Sequence, residues 1–443
     1  MRMRRSARRC VALLVCALPL AGCNPGTVLD VADPDVVRPG SLTGKSALPA
    51  LRSGVFGSFQ IAFSGGGDLQ NGGHEGIINL GGLFSDELIN AETFSDRINL
   101  DAHRVTAANG TMVALFLDLS RARAAAAAAS RKYAQFDPGT AGHIEMIAID
   151  AYAHVLFGEH YCSGVPFSTI TDNEELQYGQ PLSTTEIFEA AIARFDSVIT
   201  MAQTLQDDDL ASLGRVGKGR ALLNLGRFAE AAAAVAGVPT DFTFVIQSST
   251  NSDRQKNGIW HYFTNSASFS VADREAGVGL PYASDDDPRI RPEDTGGPGF
   301  DGETELVVAL KYPDATTSTV LADGIEARLI EGEASLRSGS ASTMLATLDA
   351  LRAGAGLDPL VDPGTQAGRV DLLFKERAYW LYLTAHRTGD QRRLVRQYGR
   401  SIASVYPSGP YFKGGSYGTD YVLPVSADER NNPNFQGCAN TNP

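Results

Sequence analysis

The sequence predicts a mostly α-helical protein: stacked helix pairs forming an α-α superhelix, interrupted by one long irregular insert with short strands. Three observations carry this. Helical runs marked by a turn glycine recur four times between residues 110 and 400. Residues 241–321 lose helical periodicity and are rich in Gly, Pro, Asp, Ser and aromatic residues. Setting aside a leader still leaves about 420 residues, ample for a large core in one domain or two.

The leader comes first. Arg2, Arg4, Arg5, Arg8 and Arg9 precede an apolar run, VALLVCALPLAG, at residues 11–22. That run is shorter than the roughly 20 apolar residues that span a bilayer, but it suits the apolar region of a secretion signal. Leu20-Ala21-Gly22-Cys23 resembles a bacterial lipobox. The resemblance implies cleavage before Cys23 and acylation of that cysteine; the alternative is an ordinary signal peptide with a chance cysteine. Asn24, where Asp would hold a lipoprotein at the inner membrane, points to the outer membrane. No later segment is long and apolar enough to cross a membrane, so the mature chain is expected to be anchored rather than spanning.

Removing residues 1–22 takes away five Arg and no acid, which moves the formal charge from −13 to −18. So acidic a chain is a poor partner for nucleic acid or anionic lipid. Processing also leaves Cys23, Cys162 and Cys438 of the five cysteines. With Cys23 lipidated, the other two form an even pair in an oxidising compartment, and a Cys162–Cys438 disulfide is expected.

Residues 23–40, dense in Pro and Gly, read as a tether, and a folded domain is expected over 41–443. Helices are expected near 45–60 and within 74–89, with SGGGDLQNGG at 64–73 as a surface loop between them. Residues 110–134 carry strong helix formers and no breaker. The repeat then appears on Gly158, Gly226, Gly339 and Gly389, each expected at a helix C-terminus, where positive φ favours glycine. Seven residues earlier stand Ala151, Gly219, Gly332 and Tyr382; three of the four are small, which lets two helices approach closely. Phe228 and Ala231 follow Gly226 at tetratricopeptide spacing. The first pair is interrupted, and its second helix is delayed to TEIFEAAIARFD after an N-cap among Ser183, Thr184 and Thr185. Helix pairs are thus expected over about 110–240 and 322–400, and irregular structure over 241–321 and 401–443.

Taken in order, five features resemble the SusD/RagB family of outer-membrane nutrient-binding lipoproteins. They are the lipobox with LDVADPDVV; the two early helix pairs; the aromatic insert with DDDPRI; RLIEGEASLRSG; and FKERAYWLYLTAHRTGDQRRLVR followed by LPVSADERNNPNFQG. Pro424, Glu429, Asn432, Pro433 and Asn434 match the family's closing signature. The stretch DLSRARAAA departs from it, lacking the family's Asn in an aromatic context. The resemblance implies a lid on a TonB-dependent outer-membrane transporter of the SusC type, exposed at the cell surface. Helix pairs would dock on the barrel, and the other face would take oligosaccharide or another nutrient.

Sugar recognition needs exposed aromatic faces and polar side chains, which rigid scaffolds present on loops. Trp260 and Tyr262 are the first candidates; strand alternation would put them on one face, and filling a core under the insert is the competing role. Tyr282 with Asp285, Asp286 and Asp287 is second, and Phe84, Asp86 and Glu87 third. Trp380, in a helix, reads as core. The acidic runs DDD and DGETE fit no calcium-loop pattern and read as solvated loops, and the histidines show no metal spacing. No cofactor or metal is expected. Gly414-Gly415-Ser416-Tyr417-Gly418 matches the nucleophile-elbow pattern of hydrolases, yet no His follows His386 and the surroundings read as loop. A non-enzymatic binding protein is the expectation; a protein-only tetratricopeptide scaffold is the alternative, and a surface hydrolase a distant third. Exposed Trp260 and Tyr262 around a cleft favour ligand binding. Burial of both, with a groove only along the helix pairs, favours the scaffold.

Overall fold

A computed structural model describes residues 44–67, 74–171 and 175–443. The leader, Cys23 and the tether therefore lie outside the described residues. The main body runs from Leu48 to Pro443. Thirteen α-helices are described in it: α1 (Leu48–Ser64), α2 (Gly76–Leu83), α3 (Ser95–Asp101), α4 (Gly110–Phe136), α5 (Ala141–His160), α6 (Thr184–Leu205), α7 (Asp208–Asn224), α8 (Phe228–Val235), α9 (Gly258–Trp260), α10 (Gly324–Arg337), α11 (Ala341–Gly354), α12 (Gln366–Trp380) and α13 (Arg387–Tyr398). The fold is mostly α, as the sequence predicts.

Capping side chains define several starts. Ser183 forms a full capping box with Glu186 at the head of α6. Asn109, Asp207, Asp323 and Thr365 each accept a backbone N–H in the first turn of α4, α7, α10 and α12. Helix pairs α5–α6, α7–α8 and α10–α11 pack side by side, and α12 leads into α13. Gly226 and Gly339 sit at positive φ in their turns, as the repeat requires. Gly158 and Gly389 do not: each lies inside a helix, α5 and α13. Their smallness serves packing instead. A Cβ on Gly158 would lie 2.7 Å from the Phe188 ring of α6, and one on Gly389 would lie 3.1 Å from Glu159 of α5. The turn before α13 is made by Leu383 and Ala385, both at positive φ.

The helices share a continuous apolar core, with Phe59, Phe116, Tyr152, Phe188 and Val235 among its buried members. A second cluster, including Leu329, Met344, Leu373 and Phe374, fills the space within α10–α13. The glycine-rich break after α1 is not wholly a surface loop. Gly65 and Gly66 are buried, and a Cβ on Gly65 would stand 2.4 Å from the Glu75 carbonyl oxygen.

The insert leaves and re-enters through one neck. Thr243–Ile246 pairs antiparallel with Thr319–Asp323, so its two ends are hydrogen-bonded to each other. α8 then packs directly on α10. Within the insert, Phe269–Val271 pairs with Leu88–Asn90, and Pro292–Pro298 pairs with Glu305–Ala309. The expected strand around IWHYF is absent. Asn257 caps a helical turn by accepting the Trp260 N–H at 2.9 Å, and a π-helical turn follows at His261–Asn265. Asparagine as a helix cap overrode the β-propensity of the aromatics. The C-terminal loops fold back over the body. Cys162 and Cys438 form a disulfide with Cα atoms 5.8 Å apart, and the Ser163 N–H donates to Asn440 O at 3.0 Å.

Candidate functional site

A cleft of about 760 Å³ opens where the insert meets the C-terminal loop. One wall is β-structure. Ile89, Ser270, Val271, Glu305 and Val307 line it, and Ser270 Oγ joins the strands by donating to Glu305 O at 2.8 Å. A second wall is irregular backbone from Asp273 to Ala276, with Arg274 and Ala276 at positive φ. The third is the loop from Pro410 to Tyr417.

That third wall is held from beneath. Tyr411 Oη donates to Asp101 Oδ2 at 2.7 Å, and Tyr417 Oη donates to Glu275 Oε1 at 2.9 Å. The two tyrosine rings meet edge to face at 5.2 Å. Lys413 donates to Glu92 O at 2.8 Å and pairs with Asp301. Gly414 and Gly415, both at positive φ, form the tight turn between Pro410 and Ser416. The Gly414–Gly418 motif is therefore a loop hairpin rather than a strand-to-helix elbow. Burial raises the Asp101 and Glu275 carboxyls above the usual carboxylate range, and the Asp101 charge pushes Glu275 up further.

Aromatic faces stand open here. Phe412 is 49 % exposed on the cleft wall. Phe94 (56 % exposed) and Phe300 (58 %) stack on each other with centroids 6.1 Å apart. Phe300 adjoins Asp301 and Phe412 adjoins Lys413, so the Lys413–Asp301 pair links the two patches.

No protein-family model matches the chain, and no curated protein matches it by sequence. Solved structures do match by shape. A SusD superfamily protein from Bacteroides vulgatus shares 13 % identity, with 90 % of this chain and all of that one covered, at a TM-score of 0.60. Surface glycan-binding protein A from Bacteroides thetaiotaomicron, solved with laminarihexaose, shares 11 % identity over 89 % of this chain and all of that one, at 0.65. A laminarin-binding SusD-like protein shares 13 % over 90 % and 99 %, at 0.64. The fold is the SusD fold.

On this fold the residues singled out from sequence are scattered. Trp260 is half-buried on α9. Tyr262 is wholly buried, packed on Phe269 at 5.0 Å with the Arg97 guanidinium 5.2 Å from its ring. Tyr282 is buried against Tyr379 and Tyr382. Phe84 is buried against His103. Asp86 is buried too; it pairs with Arg387 of α13 and accepts the Leu280 N–H at 2.9 Å, pinning the insert to the helices. These four are packing groups and leave a ligand no open face, because each is covered by residues distant in the chain. Asp285 is exposed but engaged by Lys375 at 2.6 Å and Tyr379 at 2.7 Å, whereas its neighbour Asp286 lines the cleft. Trp380 is half-buried and packs against the second core cluster, with Arg289 5.1 Å from its ring. The cleft aromatics Tyr411, Phe412 and Tyr417 were missed. Their signal was present in YPSGPYFKGGSYGTDY, an aromatic-rich loop with enough glycine to fold into a wall.

The closing Asn-Pro-Asn stretch is structural. Asn432 donates to Gly179 O at 3.2 Å and Asn434 to Tyr178 O at 3.3 Å, fastening the C-terminus to the segment between α5 and α6.

Proposed function

We propose that this protein is a glycan-binding lipoprotein of the outer membrane, anchored through Cys23, that passes oligosaccharide to a TonB-dependent transporter of the SusC type. The cleft carries the reading. It is open, about 760 Å³ in volume, and offers aromatic faces beside carboxylates that accept hydroxyl hydrogen bonds. Neighbours of the same fold bear names that record glycan binding, one of them in complex with laminarihexaose.

Phe412→Ala tests the cleft. Its ring has no hydrogen bond to lose and half of it is exposed, so folding should be little affected. An aromatic face contributes about 1 kcal/mol, so oligosaccharide affinity should drop about fivefold in calorimetric titration. Unchanged affinity in a variant that still binds glycan would move the site elsewhere.

The helix pairs provide the complementary surface. A groove of about 840 Å³ runs along α8, α10 and α11, between Phe228, Arg337 and Thr347. This groove supports a protein contact, whether with the barrel or, in the scaffold reading, with another protein. Pull-down of the lipidated chain from its own outer membrane separates these. One dominant TonB-dependent barrel supports the transporter partner; periplasmic proteins without a barrel refute it.

A further inference from the structure

The cleft is strongly one-signed. Asp273, Glu275, Asp286, Asp294 and Glu305 line it, against one basic lining residue, Arg274. Four of the five acids are exposed, and none of the five is in an ion pair among the described residues. Elsewhere in the insert some acids are neutralised, Asp285 by Lys375, Asp287 by Arg289 and Asp301 by Lys413, while Glu293, Glu303 and Asp314 stand singly on the surface. What sets the cleft apart is that five unpaired acids share one concave surface.

A second observation lies under its floor. Glu275 is buried to 6 % exposure; Tyr417 engages one carboxyl oxygen, and the other has no hydrogen-bond partner. A buried polar atom without a partner is costly, and such atoms are rare in folded proteins.

A single metal ion is a poor match. Among the described residues no three His, Cys, Asp or Glu side chains gather closely enough to hold one. The negative charges are spread along the walls, and their complement is a ligand with spaced positive charges. The exposed face of Phe412 and the half-buried Tyr417 add a demand for flat apolar patches, which sugar rings meet and a simple polyamine does not.

We propose that the cleft selects an oligosaccharide bearing free amino groups, held as ammonium ions against its carboxylates. This rests on the glycan-binding reading above and names the ligand class. Uronate-bearing or sulfated glycans are repelled by the same walls. Burial, with the neighbouring Asp101 and Asp86 charges, pushes the Glu275 carboxyl up. An ammonium group close to it favours the carboxylate, so binding is expected to be linked to proton release from Glu275.

The test uses the full-length protein in detergent, at low and high salt, in mildly acidic buffer where the amines are charged. Calorimetry compares β-linked glucosamine oligomers, their N-acetylated counterparts of equal length, galacturonate oligomers and oligolysine. The glucosamine oligomer should bind at least about tenfold tighter than the N-acetylated one. High salt should close the gap, as should the exposed-residue triple variant D286N/D294N/E305Q. Measured heat should depend on buffer ionisation enthalpy in the wild type and lose that dependence in Glu275→Gln, which keeps an acceptor for Tyr417.

Equal or tighter binding of the N-acetylated oligomer, or any preference for galacturonate, overturns the charge selection and leaves glycan binding standing. Oligolysine binding as tightly as glucosamine oligomers overturns it too, since charge alone would then suffice. If no glycan of any charge binds, the glycan-binding reading itself falls.

Discussion

Glu87 stood beside Asp86 and Phe84 as a sequence candidate for ligand contact, and Glu87→Gln tests the packing role the structure assigns to it. The side chain is buried. Its Oε1 accepts the Leu383 N–H at 2.9 Å, and its carbonyl accepts Tyr382 Oη at 3.0 Å, so it braces the positive-φ turn between α12 and α13. Burial raises its carboxyl to about 8. The folded chain therefore holds this proton more tightly than the unfolded chain, where the group titrates near 4.5. The associated stability is fully present below that lower value and is lost as pH rises through about 8. A shift of that size is worth roughly 5 kcal/mol as a ceiling, at about 1.4 kcal/mol per unit. Glutamine keeps the acceptor and cannot ionise. Urea titrations should show the wild type losing stability relative to Glu87→Gln as pH rises from about 5 to about 8, by about 2 kcal/mol or more. Lys311, which burial lowers to about 8 and the Glu87 charge raises, titrates at the top of this range, so the comparison is read on the acid side of it. Parallel stability profiles for the two proteins would show Glu87 ionised throughout and refute the reasoning.

Three further outcomes are expected. Arg387→Met strands the buried Asp86 carboxylate and should cost about 3–5 kcal/mol in chemical denaturation; the double variant D86N/R387M should recover much of that, and no recovery would count against the pair. Gly219 and Gly332 occupy the same repeat position, yet a Cβ at Gly219 would meet Val235 at 2.5 Å while the nearest atom to one at Gly332 is Met344 Cγ at 4.0 Å. Gly219→Ala should therefore destabilise by about 1 kcal/mol once overpacking is set against helix propensity, and Gly332→Ala should stabilise by up to about 1 kcal/mol; equal effects by thermal unfolding would contradict this. The Cys162–Cys438 disulfide closes a loop with a sequence separation of 276. Chain entropy sets a ceiling of about 5.6 kcal/mol on its contribution; the double Cys→Ser variant should unfold at clearly lower denaturant, and an unshifted midpoint would show that the tail contacts suffice.

The sequence determined what depends on neighbours along the chain. Helix starts follow from caps such as Ser183 with Glu186, and the turns at Gly226 and Gly339 from glycine's tolerance of positive φ. The insert's limits were legible because composition changes where helical periodicity stops, and its ends do pair at Thr243–Ile246 and Thr319–Asp323. The cysteine pair followed from counting and compartment.

Which aromatics meet solvent was beyond local reasoning. Tyr262 and Phe412 sit in similarly aromatic, irregular stretches, yet one is sealed by Phe269 and Arg97 while the other stands on a cleft wall. Gly158 and Gly389 looked like turn glycines and proved to be contact points between helices far apart in sequence. Local pattern encodes backbone conformation through sterics and short-range hydrogen bonds. Exposure and charge environment depend on which distant segments pack against a residue. Only the tertiary structure brings Glu275, Asp101 and the Tyr411–Tyr417 loop together, and so only it decides where the cleft lies and that its walls are acidic.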